Sequence, residues 1–189
     1  GEGAASACRA ALAASGARFE PAAPGPRQEP GCAVDDPVRL ESLALRDGGR
    51  AGLPGRPTLD CAAAQVLATY VSDALAPLAK GLFGADLAAL ETGPGFSCRR
   101  RNHAAEGKLS AHARGLAVDV ATLRLADGRV IAVGRFSDER DAAFDRAARA
   151  AGCGYFNTAL GPGADASHAT HWHFDLEPRG AGGRSKFCQ

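Results

Sequence analysis

Four of the five histidines fall in two short stretches, and the residues around them are those of a metal centre. The first stretch is Ser110-Ala-His112-Ala-Arg-Gly115-Leu-Ala117-Val-Asp119. The second is His168-Ala-Thr-His171-Trp172-His173-Phe174-Asp175-Leu176. Side chains alternate between faces in an extended chain, so His171, His173 and Asp175 share one face and Trp172, Phe174 and Leu176 the other. Leu116, Val118 and Val120 alternate in the same way with Ala117, Asp119 and Ala121, which leaves Asp119 facing out over small neighbours. Gly115 permits an unusual backbone turn that brings His112 back over Asp119. Two imidazoles, one carboxylate and an open fourth position are the ligand set of a catalytic zinc ion, and His112, Asp119 and His173 are the expected ligands of one such ion. Zinc polarises a carbonyl and brings the pKa of water toward about 7. A lone His–Asp pair is ordinarily a surface pair or a satisfied core group; two motifs in one chain favour metal. His103 sits apart, in the polar run 99–108, and reads as solvated.

The elements that must hold these residues follow from periodicity and turn formers. Residues 4–14 read as a short helix, and 20–37 as a proline-rich loop. Val38, Leu40, Leu43 and Leu45 fit either a strand or a turn of helix, and 46–57 are turn formers throughout. Asp60 caps a helix beginning at Cys61. Leu67, Tyr70, Val71, Ala74 and Leu78 lie on one face of it, and Pro77 is expected to end or kink it. Asp86–Thr92 reads as a strand, followed by the Gly93-Pro94-Gly95 turn. Leu116–Ala126 and Arg129–Val133 read as a hairpin about Asp127-Gly128. Asp138–Ala151 is helical with Gly152 after it, and Tyr155–Leu160 and Thr170–Glu177 are strands. The fold class is therefore α+β, a small antiparallel sheet flanked by helices. It is expected as a single domain over 1–189, with a disulfide-clamped N-terminal segment 1–50.

With 22 basic against 21 acidic residues the chain has a net charge of +1. That lacks the basic footprint of a nucleic-acid binder and the excess charge of an acidic tail. Apolar residues make up 46% and charged residues 23%, an ordinary globular balance. No stretch approaches the about 18 consecutive apolar residues of a membrane span. A monomer is expected. The chain contains no methionine, which suggests a trimmed chain whose targeting segment has been removed.

The six cysteines Cys8, Cys32, Cys61, Cys98, Cys153 and Cys188 are widely spaced and include no C-x-x-C pair. A structural zinc site wants close pairs, so three disulfides in an exported protein fit better, with six buried thiols in a cytosolic protein as the alternative. Pairing of neighbours along the chain is expected: Cys8–Cys32 around the proline-rich loop, Cys61–Cys98, and Cys153–Cys188 stapling the glycine-rich tail.

The first stretch resembles the S-x-H-x-x-G-x-A-x-D signature of the zinc peptidases that include D-alanyl-D-alanine carboxypeptidases, D-Ala-D-Ala dipeptidases and penicillin-insensitive murein endopeptidases. Ser110, His112, Gly115, Ala117 and Asp119 fill its fixed positions. The chain as a whole most resembles the bacterial extensin-like C-terminal family. The resemblance rests on Gly31-Cys32, Phe96-Ser-Cys98-Arg99, Leu109-Ser-x-His112, Leu125-Ala-Asp-Gly128-Arg, Cys153, and Leu160-Gly-Pro-Gly-Ala-Asp165 leading to His173. It covers roughly residues 8–177.

That resemblance implies a hedgehog-like peptidase fold and zinc held by His112, Asp119 and His173. It also implies a substrate-contacting arginine at Arg99, with Arg100 and Arg101 as adjacent rivals, and Ser110 beside the substrate. The dipeptidase branch has a Glu general base three residues before its last His, where this chain has Thr170. The murein endopeptidase branch has H-x-x-H-x-H, which His168, His171 and His173 reproduce. His171 is accordingly expected as general base or transition-state stabiliser, assisted by His168. Asp165 and Asp175 are candidates for orienting imidazoles, or else solvated loop and strand-end groups.

The implied function is that of a zinc peptidase cutting cross-links between peptidoglycan stem peptides, periplasmic or secreted. The alternatives are a D,D- or L,D-carboxypeptidase, a non-catalytic wall-binding module closed by His171 as fourth ligand, or a hedgehog-like regulatory domain.

Overall fold

Alternating apolar residues in the middle of the chain build a sheet, and helices pack their apolar sides against it. The structure, a computed structural model, describes residues 2–23 and 29–189. Prolines 24 and 26 of the expected proline-rich loop lie outside the described residues. In chain order the regular elements are α1 (Glu2–Ala14), β1 (Arg18–Pro21), β2 (Pro37–Ala44), β3 (Arg50–Gly52), β4 (Thr58–Asp60), α2 (Cys61–Tyr70), α3 (Ala76–Phe83), β5 (Leu87–Thr92), β6 (Ala117–Leu125), β7 (Val130–Ala132), α4 (Glu139–Tyr155), β8 (Thr158–Leu160), β9 (Trp172–Asp175) and β10 (Phe187–Cys188).

The fold is mixed α+β, and the sheet is larger than the small antiparallel one expected. Ten strands join it among the described residues, in the order β1-β2-β3-β5-β6-β9-β8-β10, with β4 paired to β2 and β7 to β6. It is also not purely antiparallel: β3 runs parallel to β5, and β10 parallel to β8. The extra strands are short. β3 lies within the turn-forming run 46–57, and β1 is an edge strand within which Pro21 costs no ladder bond on the partner side.

The helices differ from expectation in two places, each for a packing reason. Asp60 caps α2, its side chain accepting from the Ala62 N–H. Pro77 does not end the helical run, because a π-turn over Val71–Leu75 lies between α2 and α3 and places Pro77 in the first turn of α3, where a missing N–H costs least. The run Cys61–Phe83 is long and apolar enough by composition to cross a membrane, and 50% of its most apolar window is buried within the fold. Gly152 lies inside α4 rather than after it: its role is close packing, since a side chain there would meet the Phe174 ring at 2.6 Å, and its φ is not of the helix-ending left-handed kind. Tyr155 consequently ends α4 and the strand after it starts only at Thr158.

Leu67, Tyr70, Val71, Phe144, Trp172 and Phe174 are fully buried. Tyr70 meets Tyr155, Phe156 and Phe174 edge-on and donates its hydroxyl to the Ala148 carbonyl at 2.8 Å. Trp172 donates its indole N–H to Asp145 of α4 at 2.6 Å, and Arg149 pairs with the same carboxylate at 2.9 Å. β9 is thereby held from behind by α2 and α4, leaving its other face for His173 and Asp175.

Two of the three disulfides correct the expected pairing. Cys153–Cys188 forms as expected, but the others are Cys8–Cys61 and Cys32–Cys98. The physical reason is that α1 packs on α2, where Gln65 also donates to the Cys8 carbonyl at 3.1 Å, so Cys8 meets the first turn of α2 rather than its neighbour in sequence. The N-terminal segment is therefore clamped to the body of the fold, not onto itself. Three disulfides and no free cysteine among the described residues are compatible with an oxidising location outside the cytoplasm.

Candidate metal centre

β6 and β9 pair antiparallel with Asp119 opposite His173, so the two motifs meet by strand register. The next strand, β8, places Leu160 opposite His173 and Thr158 opposite Asp175. Val118, Val120, Trp172 and Phe174, which alternate with these residues, are buried beneath the helices. The polar row is therefore a consequence of period-two alternation on a sheet with one covered face.

His112 arrives from a separate turn. Residues Ala111–Arg114 form a single 3-10 turn capped by the Ser110 hydroxyl, which accepts from the His112 N–H at 3.4 Å, and closed by Gly115 at φ 66°. A side chain at Gly115 would strike the Asp60 nitrogen at 2.8 Å, so glycine is required by space as well as by conformation. Ser110 is buried and also lines the cavity described below. The His112 ring is set by the backbone: Nδ1 lies 2.7 Å from the Gly95 carbonyl. A carbonyl can only accept, so Nδ1 carries a proton and Nε2 is the nitrogen turned toward Asp119.

That Nε2 is buried, lies 3.2 Å from Asp119 Oδ2, and makes no well-formed hydrogen bond. His173 Nδ1 lies 2.9 Å from Asp119 Oδ1, while its Nε2 lies 2.9 Å from Asp175 Oδ2. Each imidazole is thus steadied on its outer nitrogen, by Gly95 or by Asp175, and presents the other to Asp119. One ligand atom from each of His112, Asp119 and His173 lies within 4.8 Å of the other two. This donor set, with one orphaned buried nitrogen and outer partners for both rings, fits a divalent ion of the zinc type. A second cluster, Cys8, Asp36 and Cys61, does not, because its sulfurs are joined in a disulfide.

The charges follow the geometry. Burial opposes ionisation of Asp119, but the hydrogen bond from His173 and the closeness of both the His112 and His173 rings outweigh it and hold the carboxyl far below its usual range. Burial likewise opposes the charged form of His173, yet Asp119 and Asp175 raise its pKa to about 9. Asp175 is lowered despite burial, by His173, by the Thr158 hydroxyl and by the Glu177 N–H.

His171 lies just before β9 rather than within it, because the strand begins at Trp172. Its Nε2 is 3.8 Å from Asp119 Oδ1. Burial lowers its pKa below 6.5, Asp119 opposes that, and His168, His173 and His112 add to the lowering. His168 is buried, with Nδ1 2.8 and 2.9 Å from the two oxygens of Asp165. Its ring centre is 5.3 Å from that of His171 and 5.6 Å from that of His173.

These groups border a cavity of about 550 Å³. Arg99, Arg101 and Arg179 contribute cations to its wall, and exposed His103 stands on its rim beside Asn102. Arg99 reaches no carboxylate among the described residues; its Nη1 donates only to the Arg100 carbonyl at 3.4 Å. Its rivals are committed elsewhere: Arg100 pairs with Glu29, and Arg101 lies 3.6 Å from Glu177. Glu177 is 5% exposed at its side chain and also takes Lys108 at 2.9 Å and Arg114 at 3.0 Å. It ties the segment carrying Arg101 and Lys108 to the turn that carries His112. Burial opposes the ionisation of Glu177, but these cations hold its pKa down.

The sequence assigned no part in the site to Thr158, Arg179 or Phe187, read Gly95 only as a turn residue, and set Glu177 aside as a general base because its spacing is wrong. Gly95 has the clearest signal: at φ 75°, with a side chain meeting the Thr58 carbonyl at 2.4 Å, only glycine lets its own carbonyl reach His112. Arg179 and Phe187 have no motif; the tail stapled by Cys153–Cys188 brings them in.

The family model described as extensin-like protein C-terminus matches residues 6–189, and the chain belongs to that family. No curated protein and no solved structure matches the chain.

Proposed function

We propose that this protein is a zinc-dependent peptidase of the hedgehog-like D-Ala-D-Ala peptidase type that acts outside the cytoplasm, in the periplasm or after secretion, on cross-links between peptidoglycan stem peptides. The observation that carries the reading is the triad itself: His112 Nε2 at 3.2 Å and His173 Nδ1 at 2.9 Å from the two oxygens of one aspartate, beside an open cavity. The resemblance of both motifs to murein endopeptidases supplies the substrate class, and the disulfides agree with the compartment.

His112, Asp119 and His173 would hold the ion. The chemistry supplied when zinc is bound is Lewis acidity: polarisation of a peptide carbonyl and acidification of water near neutral pH. The chain's own residues supply the rest. His171, uncharged at neutral pH because burial disfavours its cation, accepts a proton at Nε2 on the cavity side of Asp119. His168, whose Nδ1 proton is fixed on Asp165, presents its other nitrogen beside His171 and can pass that proton on. Arg99, with no carboxylate partner among the described residues, is available to steady negative charge developing on the scissile carbonyl. A carboxypeptidase on the same stem peptides would use the same groups.

Incubation of the purified chain with sacculi, followed by analysis of released muropeptides, tests this. Zinc-dependent products that disappear on His173→Ala are expected; no product, or full activity in that variant, rejects it. A second reading is favoured by one observation, the 3.8 Å approach of His171 Nε2 to Asp119, which suits a fourth protein ligand in a non-catalytic wall-binding module. Binding of sacculi without turnover would select it.

A further inference from the structure

Arg179 lies outside the metal-binding triad, yet it is built into the same cavity. Its Nε donates to Thr158 Oγ1 at 2.8 Å, and its guanidinium carbon sits 5.3 Å over the Phe187 ring. Thr158 is buried, and its hydroxyl also bonds Asp175, which steadies His173. Phe187 is held in turn. Its N–H donates to the Asn157 carbonyl at 2.8 Å, its neighbour Cys188 is tied to Cys153, and Asn157 Nδ2 donates to Leu176 at 3.3 Å and Glu177 at 3.2 Å. A planar cation fixed at Nε and at one face keeps its two Nη groups for a ligand. No carboxylate among the described residues lies within 4.0 Å of Arg179, whereas Arg101 in the same wall has Glu177.

We propose that Arg179, seated on Thr158 and Phe187, is a subsite that binds a free carboxylate of the peptide occupying the cavity. This deepens the peptidase reading and rests on it for the identity of the peptide. Recognition then needs a substrate with an anionic group away from the bond that is cut, as the free α-carboxyl of a γ-linked glutamyl residue provides. A singly charged planar group suits the site better than phosphate. The fork of a guanidinium matches two carboxylate oxygens, and Asp119, Asp165 and Asp175 in the cavity wall repel a second negative charge. The tail is thus a specificity element: β10 and the disulfide exist where they hold the platform for this arginine.

The test is equilibrium binding of an uncross-linked γ-glutamyl stem tripeptide to the full chain, in its free-acid form and with the γ-glutamyl α-carboxyl amidated. The unaltered protein is expected to bind the acid at least about tenfold more tightly, as for one charge-assisted, partly desolvated hydrogen-bonded pair. Arg179→Gln should reduce that preference to about twofold or less, while Arg184→Gln, an exposed arginine outside the cavity, leaves it intact. If Arg179→Gln fails to fold, Arg179→Lys serves instead and should retain only part of the preference, because an ammonium cannot engage both oxygens in one plane. An undiminished preference in either Arg179 variant, no preference in the unaltered protein, failure to bind either tripeptide, or equal competition by inorganic phosphate overturns the proposal. Sacculi left undigested while the acid preference and its dependence on Arg179 persist would sink the peptidase reading and leave the subsite standing.

Discussion

Asp119 and His173 face each other across two paired strands, with 2.9 Å between carboxylate and ring nitrogen, and each has a further imidazole or carboxylate on its far side. The chain His112–Asp119–His173–Asp175 is continuous and draws on a 3-10 turn and two strands. Such a line of alternating acid and base is costly to bury unless protons or a cation complete it.

One divalent ion per chain is therefore expected by elemental analysis of the purified protein. His112→Ala, Asp119→Ala and His173→Ala should each abolish stoichiometric loading. Asp175→Asn, which meets the triad only at the outer nitrogen of His173, should weaken affinity by roughly 10–100-fold without abolishing it. Undiminished loading in all three ligand variants would refute the centre.

Metal uptake should depend on pH through His173. Its pKa of about 9 in the metal-free fold means that a proton leaves as the ion enters. The dissociation constant measured by titration calorimetry should fall about tenfold per pH unit from pH 7 toward 9, then level off. The stability of the metal-free protein runs the other way. The folded pKa of His173 is raised above its ordinary 6.5, so its contribution is complete below pH 6.5 and lost as pH climbs through about 9. Asp119 is lowered, so its contribution is present above its ordinary 3.8 and lost on stronger acidification. Thermal melts under chelator should accordingly show a decline on the alkaline side that saturating zinc removes.

Digestion without reduction should yield peptides joining Cys8 to Cys61 and Cys32 to Cys98, not Cys8 to Cys32. The three bridges span 53, 66 and 35 residues. Loop-closure entropy assigns each about 4 kcal/mol, so loss of any one should lower the melting temperature by many degrees.

Glu177→Gln should loosen the basic wall of the cavity. The carboxylate is nearly buried, but Arg101, Lys108 and Arg114 are roughly half exposed, so solvent screens much of each attraction. A loss of about 1–2 kcal/mol is expected, with faster amide hydrogen exchange confined to residues 99–114. Unchanged exchange there would show that the three cations do not depend on this anchor.

Much of this centre can be read along the chain, because alternation on a half-covered sheet leaves little freedom. Once Trp172 and Phe174 must enter the core, His173 and Asp175 must leave it, and the same logic turns Asp119 outward. What cannot be read is whatever depends on packing between distant segments. The strand holding His173 begins one residue after His171, a boundary no period marks. The pairing of Cys8 with Cys61 follows from α1 lying on α2. Strands of two to four residues such as β1, β4 and β10 are too short to carry a pattern. The carbonyl of Gly95 and the guanidinium of Arg179 reach the site through backbone turns and a bridged tail, neither of which leaves a spacing to find.

The π-turn between α2 and α3 makes one helix unusually intolerant of changes in length. It holds one residue more than an α-helical turn, and that surplus widens the backbone ladder just ahead of Pro77. Excising a single residue from Val71–Leu75 would wind the segment back to regular pitch and restore i→i+4 hydrogen bonding through it. The ring of Pro77 would then be driven against the carbonyl four residues before it, a clash the wider turn now avoids. Insertions in the surface loops should be absorbed far more readily than this one deletion.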